Sequence, residues 1–219
     1  HQHGPYEVIV VDNGSTDGTA AVAAAAGAQV VSEPRRGYGA ACLAGARASS
    51  REVLVFMDAD GTFDAAEIGS LVVPILGGRA DLVLGSRVLW DGGDGAVLPH
   101  QRFGNWLSVR LMQMLYGLQV TDLGPFRAIR RDLLFQLQMS EMTYGWPTEM
   151  MIKAQRMGCR IAEVPVSARP RVAGRSKVSG TVKGSLLAGY HILRVILKHG
   201  LAFRRRPAAR HEEEMPGAQ

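Results

Sequence analysis

Val53-Leu54-Val55-Phe56-Met57-Asp58-Ala59-Asp60-Gly61 runs an unbroken apolar segment straight into two carboxylates one residue apart. A short continuous apolar run reads as a strand buried on both faces, and the carboxylates stand where that strand emerges into solvent. Hard divalent cations such as Mg²⁺ or Mn²⁺ take oxygen ligands, so Asp58 and Asp60 are candidate metal ligands, and a metal held there would neutralise the phosphates of a nucleotide. Taken alone, Asp-x-Asp is common in surface turns. Val8-Ile9-Val10-Val11-Asp12-Asn13-Gly14-Ser15-Thr16-Asp17-Gly18-Thr19 repeats the design: a strand ends in an acid, and a turn rich in Gly, Ser and Asp caps the helix that follows. Open α/β sheets bind ligands beyond the carboxyl ends of their strands, so Asp12, Asp58 and Asp60 are expected to share one pocket.

Working outward, the hydrophobic pattern alternates between strand and helix. Strands are predicted at Glu7 to Val11, Ala28 to Ser32, Val53 to Met57, Asp81 to Ser86, Pro125 to Arg130 and Arg160 to Val166. Helices are predicted at Asp17 to Ala26, Gly37 to Ala48, Asp64 to Leu76, Arg102 to Tyr116 and Pro147 to Met157. The segment from Trp90 to Pro99, with Gly92, Gly93 and Gly95, reads as a mobile loop. This order predicts an α/β fold with a mostly parallel sheet flanked by helices.

With 219 residues and 47% hydrophobic content the chain can bury a full core. Its domain is expected over 1–182, a basic amphipathic helix over 183–206 and a disordered polar tail over 207–219. Cys42 and Cys159 are far apart and fit neither a disulfide framework nor a zinc site, and no secretory leader or bilayer-spanning run is read, so a cytoplasmic setting is expected. The net charge of +5 is unevenly spread: residues 160–210 hold 12 of the 25 Lys and Arg and a single acid, Glu163. That half is expected to meet an anionic partner. Aromatics are only 6% of the chain and no recognition motif for nucleic acid is present, so nucleic acid is not expected.

Lys183 to Phe203 places Leu186, Tyr190, Leu193, Leu197 and Leu201 along one stripe and His191, Arg194 and Lys198 on another. Two readings stay open. The stripe packs against the domain, or it lies in the headgroup layer of an anionic membrane, at the inner face of the cell membrane, with Arg204-Arg205-Arg206 beside it. Gly37-Tyr38-Gly39-Ala40-Ala41-Cys42 approaches the dinucleotide fingerprint, but its last position is Cys and Pro34-Arg35-Arg36 separates it from the strand, which argues against a dehydrogenase.

With these pieces placed, the chain resembles the family 2 glycosyltransferases, in particular the polyprenyl-phosphate sugar transferases. The resemblance rests on VVDNGSTDGT at 10–19, RGYGAA at 36–41, FMDADG at 56–61, GSR at 85–87, DLGPFRAIRR at 122–131 and EVPVSARPRVAGRSKVSGT at 163–181. It implies a GT-A-type nucleotide-diphospho-sugar fold and inverting transfer of a sugar from a nucleotide-sugar donor to a polyprenyl (dolichyl or undecaprenyl) phosphate. Asp12, Gly14, Gly37 and Arg102 would contact the donor, and Asp58 and Asp60 the sugar diphosphate and its Mg²⁺ or Mn²⁺. Two departures stand out. Thr62 occupies the position where the family often has a metal-binding Gln, and the family's first strand and its Pro-x-x-Asn-Glu-like turn have no counterpart before Glu7.

A polyprenyl phosphate brings an oxygen that is already anionic, so the reaction calls for cations more than for a base. The resemblance assigns Arg87, Arg102, Arg175 and Lys177 to the acceptor phosphate or donor diphosphate, and Arg175-Ser176-Lys177 lies in a Gly-containing segment suited to closing over phosphates. A hydroxyl acceptor would instead require a carboxylate base, for which Glu149 is the candidate, with Asp122 a second acid near the pocket. Both also suit bland roles, Glu149 at a helix N-terminus and Asp122 in a turn. The alternatives kept are a transferase with a hydroxyl acceptor and a shortened, non-catalytic relative that binds a nucleotide-sugar or a membrane.

Overall fold

A computed structural model describes residues 6–90, 99–170 and 182–204. The expectations for the glycine-rich loop at 91–98, for Arg175 and Lys177, and for the tail beyond 204 lie outside the described residues.

The chain begins as β1 (Ile9–Asp12), α1 (Thr19–Ala25), β2 (Gln29–Ser32), α2 (Tyr38–Ala48) and β3 (Val53–Phe56). A 3₁₀ turn, Ala65–Glu67, leads into α3 (Ile68–Leu76), followed by β4 (Leu82–Ser86), α4 (Pro99–Tyr116), β5 (Arg127–Arg130), α5 (Arg131–Gln136), α6 (Trp146–Arg156), β6 (Ile161–Pro165) and α7 (Val182–Arg204). Local chemistry sets several boundaries. The Asp17 carboxylate accepts the Thr19 N–H at the start of α1, and Asp64 does the same for Ala66 at the 3₁₀ turn. Pro99 opens α4 and Pro147 lies in the first turn of α6, where a missing N–H costs nothing. The predicted helix at Arg102 thus starts three residues earlier, and α5, six residues long, is too short for its periodicity to show in the sequence.

The strands form two sheets. β1 and β2 pair in parallel, Ile9 opposite Gln29 and Asp12 opposite Ser32. The second sheet has the order β3-β5-β4-β6. β3, β4 and β6 share one direction, and β5 runs against them between β3 and β4. The sheet is mostly parallel with one reversed strand at its centre. A four-residue apolar run carries no mark of direction, so the reversal follows from where α4 and the turn after it deliver the chain.

Both faces of this sheet are covered. Val83, Ala128 and Val166 point to one side and pack with Phe63, Leu71, Ile75 and Phe126, beneath α3. Leu82, Leu84, Ile129 and Leu54 point to the other and pack with Trp146, Met150, Met151 and Met112, from α6 and α4. All five residues of β4 are buried, as the unbroken apolar pattern requires. α7 lies on α6 and α4 and contributes Val195 and Ile196 to the same core. The leucine stripe read from the sequence is therefore not the packed face. Leu186, Tyr190 and Leu197 are exposed, and the contact is made one to two positions away.

Candidate active site

The carboxyl ends of β1, β3 and β4 carry the predicted residues. Asp12 closes its own turn by accepting the Ser15 N–H at 2.9 Å, and these hydrogen bonds from Ser15 hold its carboxyl below the usual carboxylate range. Asn13, which the sequence reading passed over, ties three segments together. Its amide donates to the carbonyls of Glu33 and Arg35, both at 2.7 Å, and its carbonyl accepts the Gly37 N–H at 2.9 Å. The end of β1 is thereby fastened to the entry of α2. Gly14 adopts φ +75° and its carbonyl receives Arg36. Gly37 has φ +147°, and a Cβ there would stand 2.3 Å from the Met142 carbonyl oxygen. The bare backbone at this glycine is demanded first by the neighbouring chain.

Beyond β3, Asp58 and Asp60 are both half-buried. Asp60 accepts the Thr62 N–H at 2.9 Å, and the Thr62 carbonyl accepts the N–H of Arg169 at 2.8 Å. The Arg169 guanidinium reaches Asp64 at 2.9 Å, and Glu67 accepts the Ser167 N–H at 3.0 Å. The last described residues before the cationic 171–181 segment are therefore fixed beside the Asp58/Asp60 turn. Among the described residues no group of three or more His, Cys, Asp or Glu forms a metal cage. Two carboxylates of hard oxygen donors fit a divalent cation whose remaining ligands come from a diphosphate.

At the end of β4, Arg87 and Asp122 form a fork. The guanidinium donates to both carboxylate oxygens at 2.7 Å, and the Arg87 backbone N–H adds a third bond at 3.0 Å. Asp122 is only 1% exposed. Burial pushes its pKa up, but the Arg87 hydrogen bonds and charge outweigh this and the net shift is downward. Asp58 is close enough to add to the field on Arg87. The turn bearing Asp122 is held in place by Glu163, which accepts the N–H groups of Thr121 and Asp122. The glycines of the GSR and DLGP motifs serve this packing. A Cβ on Gly85 would meet Val166 at 2.9 Å, and one on Gly124 would meet the Gly85 carbonyl at 3.0 Å.

Arg127, also missed, is fully buried on β5 opposite Phe56. It donates to the carbonyls of Pro147, Leu123 and Gly124, and its Nε has no partner. Burial lowers its pKa, partly opposed by Tyr38, Cys42, Asp122 and Asp58. An arginine between Phe126 and Ala128-Ile129 in an apolar strand was the available signal. Cys42 is free, and burial pushes its thiol up to about 12, so it is no nucleophile.

Glu149 sits elsewhere in function. It is 0% exposed and accepts hydrogen bonds from the N–H of Ser140 at 2.9 Å, the Ser140 hydroxyl at 2.6 Å and the N–H of Glu141 at 2.7 Å. Lys153 Nζ lies at 2.9 Å and His199 Nε2 at 3.7 Å. Burial raises its pKa, but His199, Ser140, Glu141 and Lys153 together drive it far below the usual range. With both oxygens engaged by these donors, the candidate base is instead a knot joining α6, α7 and the segment before α6. Arg102 lies on the exposed side of α4, next to Phe103.

Comparison with known proteins identifies the family. Residues 1–137 match the family model for glycosyl transferase family 2. The chain belongs to that family. An uncharacterized glycosyltransferase of Mycobacterium tuberculosis is 40% identical over 191 residues, 87% of this chain and 86% of the relative. A dolichyl-phosphate hexose transferase of Haloferax volcanii is 35% identical over 199 residues, 90% of this chain and 84% of the relative. Among solved structures, glucosyl-3-phosphoglycerate synthase from M. tuberculosis, in complex with Mn²⁺, UDP-glucose and phosphoglyceric acid, superposes with a TM-score of 0.67 at 25% identity, covering 88% of this chain and 68% of that one. The family 2 glycosyltransferase has the GT-A-type fold expected from its motifs, and it is a transferase by family.

Proposed function

We propose that this family 2 glycosyltransferase moves a sugar from a nucleotide-diphosphate donor to a polyprenyl phosphate, with inversion, at an anionic membrane surface. One observation carries the choice of acceptor: both carboxylates that could serve a hydroxyl acceptor are withdrawn, Glu149 by burial and saturation and Asp122 by its fork with Arg87. An acceptor that arrives with its own anionic oxygen needs neither. Its phosphate oxygen attacks the anomeric carbon, the bond to the donor diphosphate breaks, and the nucleoside diphosphate leaves with the electron pair.

The residues have distinct tasks in this reading. Asp58 and Asp60 hold Mg²⁺ or Mn²⁺, which when bound offsets charge on the diphosphate. Asp12, Gly14 and Gly37 face the nucleotide from the β1 turn and the α2 entry. Arg87 is pre-oriented by Asp122 toward the same end of the sheet as Asp58. Arg102, Arg175 and Lys177 supply charge for the phosphates, the last two from the segment that follows Arg169. Support for a lipid phosphate comes from the Haloferax relative's name; support for a metal and a UDP-sugar comes from the solved mycobacterial complex. No described helix is long and apolar enough to cross a membrane, and the exposed Leu186, Tyr190 and Leu197 of α7, with Arg194 and Lys198, suit attachment at its surface.

The solved relative was crystallised with phosphoglyceric acid, which bears a hydroxyl beside its phosphate. The test is therefore a direct competition. The purified chain is supplied with UDP-, GDP- and dTDP-sugars and Mn²⁺, and transfer to a short-chain polyprenyl phosphate is compared with transfer to phosphoglycerate. Product from the lipid phosphate alone supports the reading. Product from phosphoglycerate alone overturns the acceptor, and no metal-dependent donor binding by a folded chain returns the non-catalytic alternative.

A further inference from the structure

We infer that Arg127 is a positioning residue for sugar transfer: its buried guanidinium locks the turn that carries Asp122, and through Asp122 it sets Arg87 for the donor diphosphate. The inference rests on the role given to Arg87 in the function proposed above and adds the group that stands behind it.

Arg127 occupies a place suited to an apolar side chain. It lies on β5 opposite Phe56, and the next pair on that face of the same two strands is Leu54 opposite Ile129. Trp146 packs edge-on to Phe56 at 5.0 Å, and Met150 and Met151 belong to the same core. Arg127 is 0% exposed in this setting. Its hydrogen bonds go to backbone carbonyls and none to a carboxylate, and its Nε is left without a partner. A cation buried without a paired anion is penalised, and an apolar residue of similar volume would escape that penalty. Departures of this kind from the local rule are expected where a site needs a particular geometry.

The groups it holds supply that geometry. Neighbours claim the N–H groups of the turn at 121–124: Glu163 accepts those of Thr121 and Asp122, and the Asn105 side chain accepts that of Leu123 at 2.9 Å while donating to the Thr121 carbonyl at 2.8 Å. The carbonyls of Leu123 and Gly124 both accept from Arg127 Nη2. Its Nη1 reaches the Pro147 carbonyl at 3.0 Å, in the first turn of α6. Three acceptors on two elements call for a planar fork of fixed shape, which neither an ammonium nor a side-chain amide provides. The turn is thereby tied to α6 as well as to α4 and β6.

The consequence runs to the site. Asp122 projects from that turn and takes Arg87 by its backbone N–H and two guanidinium bonds. A shift of the turn moves the carboxylate and the arginine with it, and a misplacement of about 1 Å at a positioned group costs on the order of a hundredfold in rate. Asp58 follows Phe56 by two residues, and its charge reaches both Arg127 and Arg87. Of these two cations, Arg127 is sealed from solvent and Arg87 is half-buried. A phosphate can meet Arg87 only, so Arg127 acts through it.

The test compares Arg127→Lys and Arg127→Met with the parent chain for binding of UDP-, GDP- and dTDP-sugars in Mn²⁺, for transfer and for melting temperature. Lysine keeps the charge and loses the fork. Both variants are expected to bind the donor about tenfold more weakly and to lose kcat, at temperatures where each is still folded. In an Asp122→Asn background, where Arg87 is already released, replacing Arg127 is expected to change donor affinity by less than about twofold. Hydrogen exchange should quicken at the amides of Arg87 and of residues 121–124 and stay at the parent rate on α1. A residue with a structural role alone would lower the melting temperature and leave the folded chain's donor affinity unchanged. That result in Arg127→Lys overturns the inference, as does full additivity with Asp122→Asn. If Arg127→Met does not fold, the lysine variant decides by the same criteria. A parent chain that binds donor but transfers nothing to polyprenyl phosphate sinks the acceptor reading, and the donor affinities still decide the role of Arg127.

Discussion

Asp58 and Asp60 show how far a residue's neighbours decide its chemistry. Asp60 has one oxygen engaged by the Thr62 N–H, which fixes the turn. Asp60→Ala is expected to abolish metal-dependent donor binding and to cost about 3 kcal/mol of transition-state stabilisation, roughly a hundredfold in transfer. Calorimetry with and without Mn²⁺ followed by single-turnover kinetics checks it, and retained metal-dependent transfer would remove the assignment. Asp122 makes a different prediction. Asp122→Asn breaks the charge-assisted fork and leaves Arg87 half-paired, with a loss of stability on the order of 3 kcal/mol and a weaker hold on the donor. A denaturant midpoint and a donor KM measured on the same variant read the two effects separately. Asp122 and Glu149 were read alike in the sequence, as acids with a bland alternative. Only their surroundings show that one orients a cation and the other ties helices together.

Elements meet at small residues that the sequence offers as ligand contacts and the structure uses as joints. At the α2 entry, Gly37→Ala would drive a Cβ to 2.3 Å from the Met142 carbonyl in a backbone region hostile to side chains, so a destabilisation of about 2 kcal/mol or more is expected. Asn13 reports the same joint from the other side, and Asn13→Ala should loosen both β1 and the α2 entry. The knot at Glu149 joins α6 to α7 through His199 and to the segment before α6 through Ser140 and Glu141. Glu149→Ala is expected to lower stability by about 3 kcal/mol, because Lys153 loses its ion pair and the N–H groups of Ser140 and Glu141 lose their acceptor. Thermal unfolding checks it. α7 is the element whose reading changed most: its amphipathic pattern was legible, but which apolar side is buried was not, since leucines line one side and Ile192, Val195 and Ile196 another.

At the scale of the whole molecule, acid stability follows from the buried carboxylates. Glu149 and Asp122 both titrate below the usual range in the folded state. Such groups contribute stability in full above the unfolded carboxylate pKa of about 4, and the contribution is lost as the pH falls through that value toward the folded one. The melting temperature is therefore expected to be level near neutral pH and to drop steeply below about pH 4. Glu149→Gln should flatten that drop, and a variant with the same acid slope as the parent would show that the knot is not its source. The two sheets also belong to this scale. β1 bonds only to β2 and β3 only to β5 within the described residues. The β1–β2 pair is held to the remainder by α2, which packs on β1, β2 and α6.

The sequence by itself determined the strand–helix alternation, the family, and the acids at the strand ends, because period, turn chemistry and motif spacing are local properties. Tertiary structure alone decided that Glu149 and Asp122 are both engaged by other groups, which face of α7 is spent on the core and which way β5 runs. Burial, saturation of lone pairs and strand direction depend on residues far away in the chain. Glu149 is the plainest case. Its fate rests on Ser140, Lys153 and His199, and the last of these stands fifty residues beyond it.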